Sequence, residues 1–201
     1  MKKQRYILLL DTRRAFDTLS HTFLHECLKT TGFPEWILQT VMGLLHNIVV
    51  FPVLKELTEH AIYIMRGVKQ GCPLSPFLFL IAINVLLDKI AEEIEGEAYA
   101  FADDLALAIR SISMIIKALT LVKAFGKVSD LHMNVDKTKL VAAQDPSHRA
   151  KEKLQEAGWG EIAFADSGVY LGVLFGQRVT TGDIFRKAYQ KVIRRLRSYR
   201  F

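Results

Sequence analysis

The sequence predicts an α+β fold, an antiparallel sheet with helices packed on one face, followed by a basic C-terminal helix. Three observations carry this. Two apolar runs of strand length border carboxylates: Tyr6-Ile7-Leu8-Leu9-Leu10 precedes Asp11, and Leu105-Ala106-Leu107-Ala108-Ile109 follows Asp103-Asp104. Longer segments between them place apolar residues at helical spacing. No repeat, low-complexity tract or obvious linker interrupts the alternation.

Residues 5–10 read as a buried strand ending at Asp11. Over 20–30, Phe23, Leu24, Cys27 and Leu28 recur at helical spacing behind Ser20, a suitable N-cap. Gly32-Phe33-Pro34 stops that helix, and 35–45 reads as the next one. Segments 48–54 and 60–66 are β-branched and aromatic enough for a hairpin. The Gly- and Pro-rich loop 67–76 leads into a long apolar helix over 76–94. Segments 98–102 and 105–109 read as strands flanking the Asp pair, with a tight turn because no Gly or Pro lies between them. A helix over 113–128, strands over 138–142 and 168–174, and a basic helix from 183 complete the chain.

At 201 residues, 50% hydrophobic and 24% charged, the chain is long enough for one domain with a real core. A formal net charge of +6 favours a polyanionic partner. Cys27 and Cys72 form no CxxC pattern, so they read as reduced thiols of an intracellular protein, in nucleus or cytoplasm. The apolar run before Asp11 is too short for a signal peptide. No run reaches membrane-spanning length, and Asn84 and Asp88 break the nearest, so no membrane partner is expected. His21 and His25 are four apart, but with no third ligand a zinc site is not expected. No P-loop, Rossmann, GxSxG or HExxH pattern occurs.

The chemistry concentrates on Asp11, Asp103 and Asp104. A carboxylate at the end of a buried strand carries a desolvation penalty unless a cation meets it. Two such sites far apart in sequence suggest a shared pair of Mg²⁺ ions held from neighbouring strands, with Mn²⁺ as a substitute.

The residues around them resemble the motifs of a known family. Leu10-Asp11-Thr12-Arg13-Arg14-Ala15-Phe16-Asp17 with His21 is similar to the first palm motif of reverse transcriptases of the non-LTR (LINE-like) retrotransposon type. Arg66-Gly67-Val68-Lys69-Gln70-Gly71-Cys72-Pro73-Leu74-Ser75-Pro76 resembles the second, and Phe101-Ala102-Asp103-Asp104 the third. Leu131-His132-Met133-Asn134-Val135-Asp136-Lys137-Thr138 resembles the fourth, and Tyr170-Leu171-Gly172-Val173 the fifth. The five stand in family order over about residues 4–176, and the second and third are the most specific.

The resemblance implies a polymerase palm over 1–176 and the start of a thumb in 177–201. It implies RNA-directed DNA polymerase activity, with an RNA template, a DNA primer and dNTP as partners. Asp11, Asp103, Asp104 and the Thr12 carbonyl would hold the metals. Phe16 would be the steric gate against a ribose 2′-hydroxyl, although apart from the motif it reads as a core aromatic. Gln70, Gly71 and Lys137 would meet the nucleotide, Lys137 reading equally well as a solvated surface charge. Tyr170, Leu171 and Gly172 would form the primer grip. Arg186, Lys187, Lys191, Arg194 and Arg195 would follow phosphates, on a helix whose apolar stripe could pack on the palm. The basic fingers residues that precede the first motif in this family have no counterpart before Asp11. The chain is therefore expected to be a truncated palm, with a second chain able to supply fingers. The alternative is a catalytically silent remnant that binds nucleic acid or a partner. A viral RNA-dependent RNA polymerase ranks lower, because its hallmark Gly and second Asp are here Ala102 and Phe16.

Overall fold

A computed structural model describes residues 6–46, 48–50 and 61–198. Its centre is a five-stranded sheet in the order β4-β5-β1-β6-β7. These strands are β1 (Tyr6–Leu10), β4 (Gly96–Phe101), β5 (Asp104–Ile109), β6 (Lys139–Ala142) and β7 (Ala163–Ala165). The pairings β1–β5, β1–β6 and β4–β5 are antiparallel, and β6–β7 is parallel. β1 is central, which explains its nearly unbroken apolar run.

Register assigns the two faces. Tyr6, Leu8 and Leu10 of β1 stand opposite Ile109, Leu107 and Leu105, and all six are buried. Against them lie α4 (Ser75–Glu93) and α5 (Ile112–Ser129), whose Ile83, Leu86, Val122 and Phe125 line one small cavity with Leu10 and Leu105. The remaining helices are α1 (Ala15–Thr18), α2 (His21–Thr30), α3 (Glu35–Leu45), α6 (His148–Glu156) and α7 (Thr181–Ser198). Ser20 caps α2 by accepting from the Phe23 N–H. Leu8 is fully buried at the centre of this core. Leu8→Ala is expected to lower stability by about 2–5 kcal/mol, measured by denaturant unfolding.

Several elements differ from the sequence expectation. Of the hairpin, β2 (Ile48–Val50) and β3 (Ile62–Ile64) pair antiparallel, while 51–60 lie outside the described residues. The strand expected over 168–174 is two strands, β8 (Ser167–Tyr170) and β9 (Val173–Gly176), joined through Leu171 and Gly172. Both turn residues have positive φ, 48° and 81°, the geometry that lets a two-residue loop follow strand twist. An apolar run with a single Gly hid that turn. α1, α6 and β7 were not anticipated, because they are short or carry little apolar periodicity. The apolar stripe of α7 is not packed on the sheet: Phe185, Tyr189, Val192 and Leu196 are more than half exposed, although the helix touches β9.

Candidate active site

On the sheet face away from α4 and α5, alternation places Ile7 and Leu9 of β1 beside Ala108 and Ala106 of β5, with Asp11 following directly after β1 and Asp104 opening β5. The printed register ends at Leu10 opposite Leu105, so one further step sets Asp11 across from Asp104. Asp103 sits in the two-residue turn between β4 and β5, behind Ala102 at φ 51°. A positive φ at alanine is a strained conformation, held here by the hairpin pairing.

Asp11 and Asp104 line a cleft of about 540 Å³ together with Lys137, Lys139 and Tyr170. Asp103 lines a much smaller cavity with Asp11 and Thr12. Asp11 thus borders both Asp103 and Asp104. A larger cleft, about 780 Å³, lies at the opposite end of the sheet between Ile7, Ala108 and Phe175 and contains none of the three aspartates.

Burial, and then the negative charges of Asp103 and Asp11, hold the Asp104 carboxyl above the usual carboxylate range. Burial and then the charge of Asp104 push the Tyr170 hydroxyl up in turn, so the β8–β9 hairpin reaches the same carboxylate group. Lys137 meets Asp11 at 3.6 Å and offsets part of the negative charge. Three crowded carboxylates are hard oxygen donors with excess charge, a chemistry that suits Mg²⁺. Among the described residues, however, no three His, Cys, Asp or Glu side chains are gathered in a metal-holding arrangement. The fit lies in donor type and charge.

The raised Asp104 carboxyl has a consequence for stability. Its folded-state value exceeds its unfolded one, so the folded chain binds more protons in that window and stability falls as pH rises through it. Asp104→Asn should therefore melt above wild type at pH 7, with the difference shrinking as pH falls towards 4. Thermal melts across that range check the sign.

The chain segment after Asp11 is tied down on one side. The Asn134 N–H donates to the Asp11 carbonyl at 2.7 Å, and the Arg13 N–H to the His132 carbonyl at 2.9 Å. Alternation along an extended chain turns the Thr12 carbonyl to the opposite edge, towards β5. Phe16, on α1, is half-buried and stacked on Phe79, with ring centroids 4.8 Å apart. The Val68 N–H donates to the Phe16 carbonyl at 2.7 Å, and the Gly67 N–H to the Leu19 carbonyl at 2.8 Å. Gln70 Nε2 donates to Asp17 Oδ1 at 3.2 Å. The Phe16 and Gln70 segments are therefore joined although 54 positions apart in sequence. Gly71 has positive φ and open space around it.

Two residues quoted within the first and second motifs have structural roles that the sequence did not assign. Buried His21 donates from Nε2 to the Gly67 carbonyl at 2.7 Å, which accounts for it without a metal. Gly67, at φ 82°, lies so close to Phe16 and Asp17 that a Cβ would meet their backbone at 2.6 Å. A Gly beside a Gln-Gly loop was the available signal.

Elsewhere the expected residues are spread out. Leu171 and Gly172 form the β8–β9 turn, with Leu171 half exposed. Gly168 seats that hairpin on the sheet, against Leu9 and Val141. Arg186, Lys191, Arg194 and Arg195 are exposed on α7, Arg186 paired with Asp183. Lys187 lies on the same helix, its side chain outside those described. Among the described residues no helix is long and apolar enough to cross a membrane.

Comparison with known proteins bears on the family and the fold. The chain is 29% identical over 153 residues to the Retrovirus-related Pol polyprotein from type-1 retrotransposable element R2 of Popillia japonica, covering 72% of this chain and 25% of that protein. It is 32% identical over 139 residues to that from type-2 retrotransposable element R2DM of Drosophila melanogaster, covering 66% and 13%. The chain thus spans a quarter or less of the length of these relatives. Among solved structures, telomerase from Candida tropicalis superposes with a TM-score of 0.67 at 13% identity, over 87% of this chain and 29% of that one. That likeness concerns the fold, an α+β polymerase palm. Residues 1–175 match the family model "Reverse transcriptase (RNA-dependent DNA polymerase)", and the chain belongs to that family.

Proposed function

We propose that this chain is the palm of a retrotransposon RNA-directed DNA polymerase, residues 1–176, with the start of a thumb in 177–201. It adds dNTP to a primer 3′-hydroxyl on an RNA template. The observation that carries the reading is the meeting of Asp11, at the end of β1, with the β4–β5 hairpin that bears Asp103 and Asp104. The relatives' greater length supports reading it as one part of a larger polymerase, with fingers supplied by other sequence or a second chain.

Asp11, Asp103 and Asp104, with the Thr12 carbonyl, would hold two Mg²⁺ ions, for which Mn²⁺ could substitute. Bound there, such ions would supply Lewis-acid activation of the primer 3′-hydroxyl and charge neutralisation for the triphosphate. Attack of the 3′-oxygen on the α-phosphorus would form the new phosphodiester as the bond to pyrophosphate breaks, with the hydroxyl proton passing to solvent. Lys137, beside Asp11, neutralises or protonates that leaving group. Gln70 and Gly71 border the nascent base pair, where a glycine lets backbone approach closely. Tyr170, Leu171 and Gly172 grip the primer next to Asp104. Arg186, Lys187, Lys191, Arg194 and Arg195 follow phosphates, so binding weakens as salt rises.

The test is extension of oligo(dT) on poly(rA) with dTTP and Mg²⁺. RNA-templated product supports the reading. A folded chain that binds this duplex in a salt-sensitive way yet extends nothing, with Mg²⁺ or Mn²⁺, is instead the silent nucleic-acid-binding remnant.

Phe16 allows a selectivity test. Its ring is anchored on Phe79, so a smaller side chain opens the space beside the sugar. Phe16→Val should raise ribonucleotide incorporation relative to deoxynucleotide roughly tenfold or more, about 1.4 kcal/mol, in competition assays. Lost stability with unchanged selectivity would leave Phe16 a core aromatic.

A further inference from the structure

Asp17 stands outside the carboxylate group at Asp11, Asp103 and Asp104, and it is exposed on α1. Its Oδ1 accepts a hydrogen bond from Gln70 Nε2 at 3.2 Å. The backbone on both sides of that contact is already joined. The Val68 N–H meets the Phe16 carbonyl, the Gly67 N–H meets the Leu19 carbonyl, and His21 Nε2 meets the Gly67 carbonyl. Gly67 lies directly against the Asp17 carbonyl. The loop after Gly67 thus approaches α1 in one register, and Asp17 is the side chain that reaches across to its Gln.

We infer that Asp17 is a positioning residue for nucleotide selection: by taking one Gln70 N–H, it fixes the Gln70 amide so that its carbonyl and second N–H face the incoming dNTP. The inference rests on the polymerase reading above. A glutamine amide offers two donors and one acceptor and can present either end. Held by a carboxylate, which only accepts, it has one orientation. Phe16 adjoins Asp17 in sequence, so α1 places the sugar gate and the base-pair contact together.

The test is equilibrium binding of the complementary dNTP, with Mg²⁺, to the full chain on a dideoxy-terminated primer annealed to an RNA template. No bond forms in this assay, so it reads the grip on nucleotide apart from chemistry. Asp17→Ala should weaken dNTP binding about three- to tenfold, as loss of one hydrogen bond would. Asp17→Asn keeps an acceptor oxygen but can also donate, so it holds the amide in either orientation and should fall between wild type and the Ala variant. Gln70→Ala should weaken binding similarly, and adding Asp17→Ala to it should change nothing further. A general loosening of α1 would add to the Gln70 loss and would not be rescued by Asn. If Asp17→Ala does not fold, the Asn variant and its double mutant with Gln70→Ala decide. Wild-type affinity in the Ala variant, additive losses, or an Asn variant as weak as Ala each overturn the inference. A wild-type chain that holds primer–template but no dNTP fails at the polymerase reading itself and takes this inference with it.

Discussion

Asp103→Ala is expected to abolish Mg²⁺-dependent primer extension, by about a thousandfold or more, while leaving the melting temperature within a degree or two of wild type. Asp103 occupies the turn between β4 and β5 and borders Asp11. Its side chain belongs to no core cluster of buried residues, so truncation removes a proposed metal ligand and little packing. Loss of a metal-holding carboxylate removes several kcal/mol of transition-state stabilisation, and about 1.4 kcal/mol corresponds to each factor of ten. Ala102 already holds the strained φ of the turn, and alanine at 103 asks nothing new of it. The measurement is the initial rate of oligo(dT) extension beside a thermal melt of the same preparation. Extension near the wild-type rate would remove Asp103 from the metal-holding set.

Gly67→Ala should damage both stability and activity, by about 2–4 kcal/mol in unfolding free energy. Two independent strains coincide. The backbone at 67 has φ 82°, where alanine is disfavoured, and the added methyl would overlap backbone atoms of Phe16 and Asp17 at 2.6 Å. No rotamer change relieves this, because the obstructing atoms are backbone. Relief requires the loop to retreat from α1, which weakens the bonds to Leu19, Phe16 and His21. Denaturant unfolding gives the stability loss, and the dNTP KM of the surviving fraction should rise. Gly71→Ala is the contrast: its φ of 84° is equally positive but its surroundings are open, so it carries the conformational cost alone. Equal losses at the two positions would mean that close packing at Gly67 contributes nothing.

Legibility varied with the kind of signal. The strands β1 and β5 and the helices α2, α3, α4 and α5 were readable to within about two residues, because each presents a full apolar face to one core. The β8–β9 hairpin was misread as one strand, since Val169, Leu171, Val173 and Leu174 keep an apolar run across the turn. The α7 stripe was readable as amphipathic, yet periodicity alone does not supply a surface to bury it. At the site, the Asp pair and Asp11 stood out as charges inside apolar sequence. His21 and Gly67 were visible only as motif residues, because their role is a contact between segments 46 positions apart.

By itself, the sequence determined the class of fold, the family, and which carboxylates border the buried strands. The fold class and the carboxylates follow from local periodicity and from the cost of placing charge beside apolar strands, and the family from the resemblance of five motifs in order, all of which are written in consecutive residues. Tertiary structure alone decided that Asp104 shares a sheet face with Asp11 while Asp103 occupies the turn. It also decided that Phe16, Asp17, His21, Gly67 and Gln70 form one connected unit. Strand register and loop approach depend on pairings across long separations, where a shift of one residue exchanges every side chain between faces.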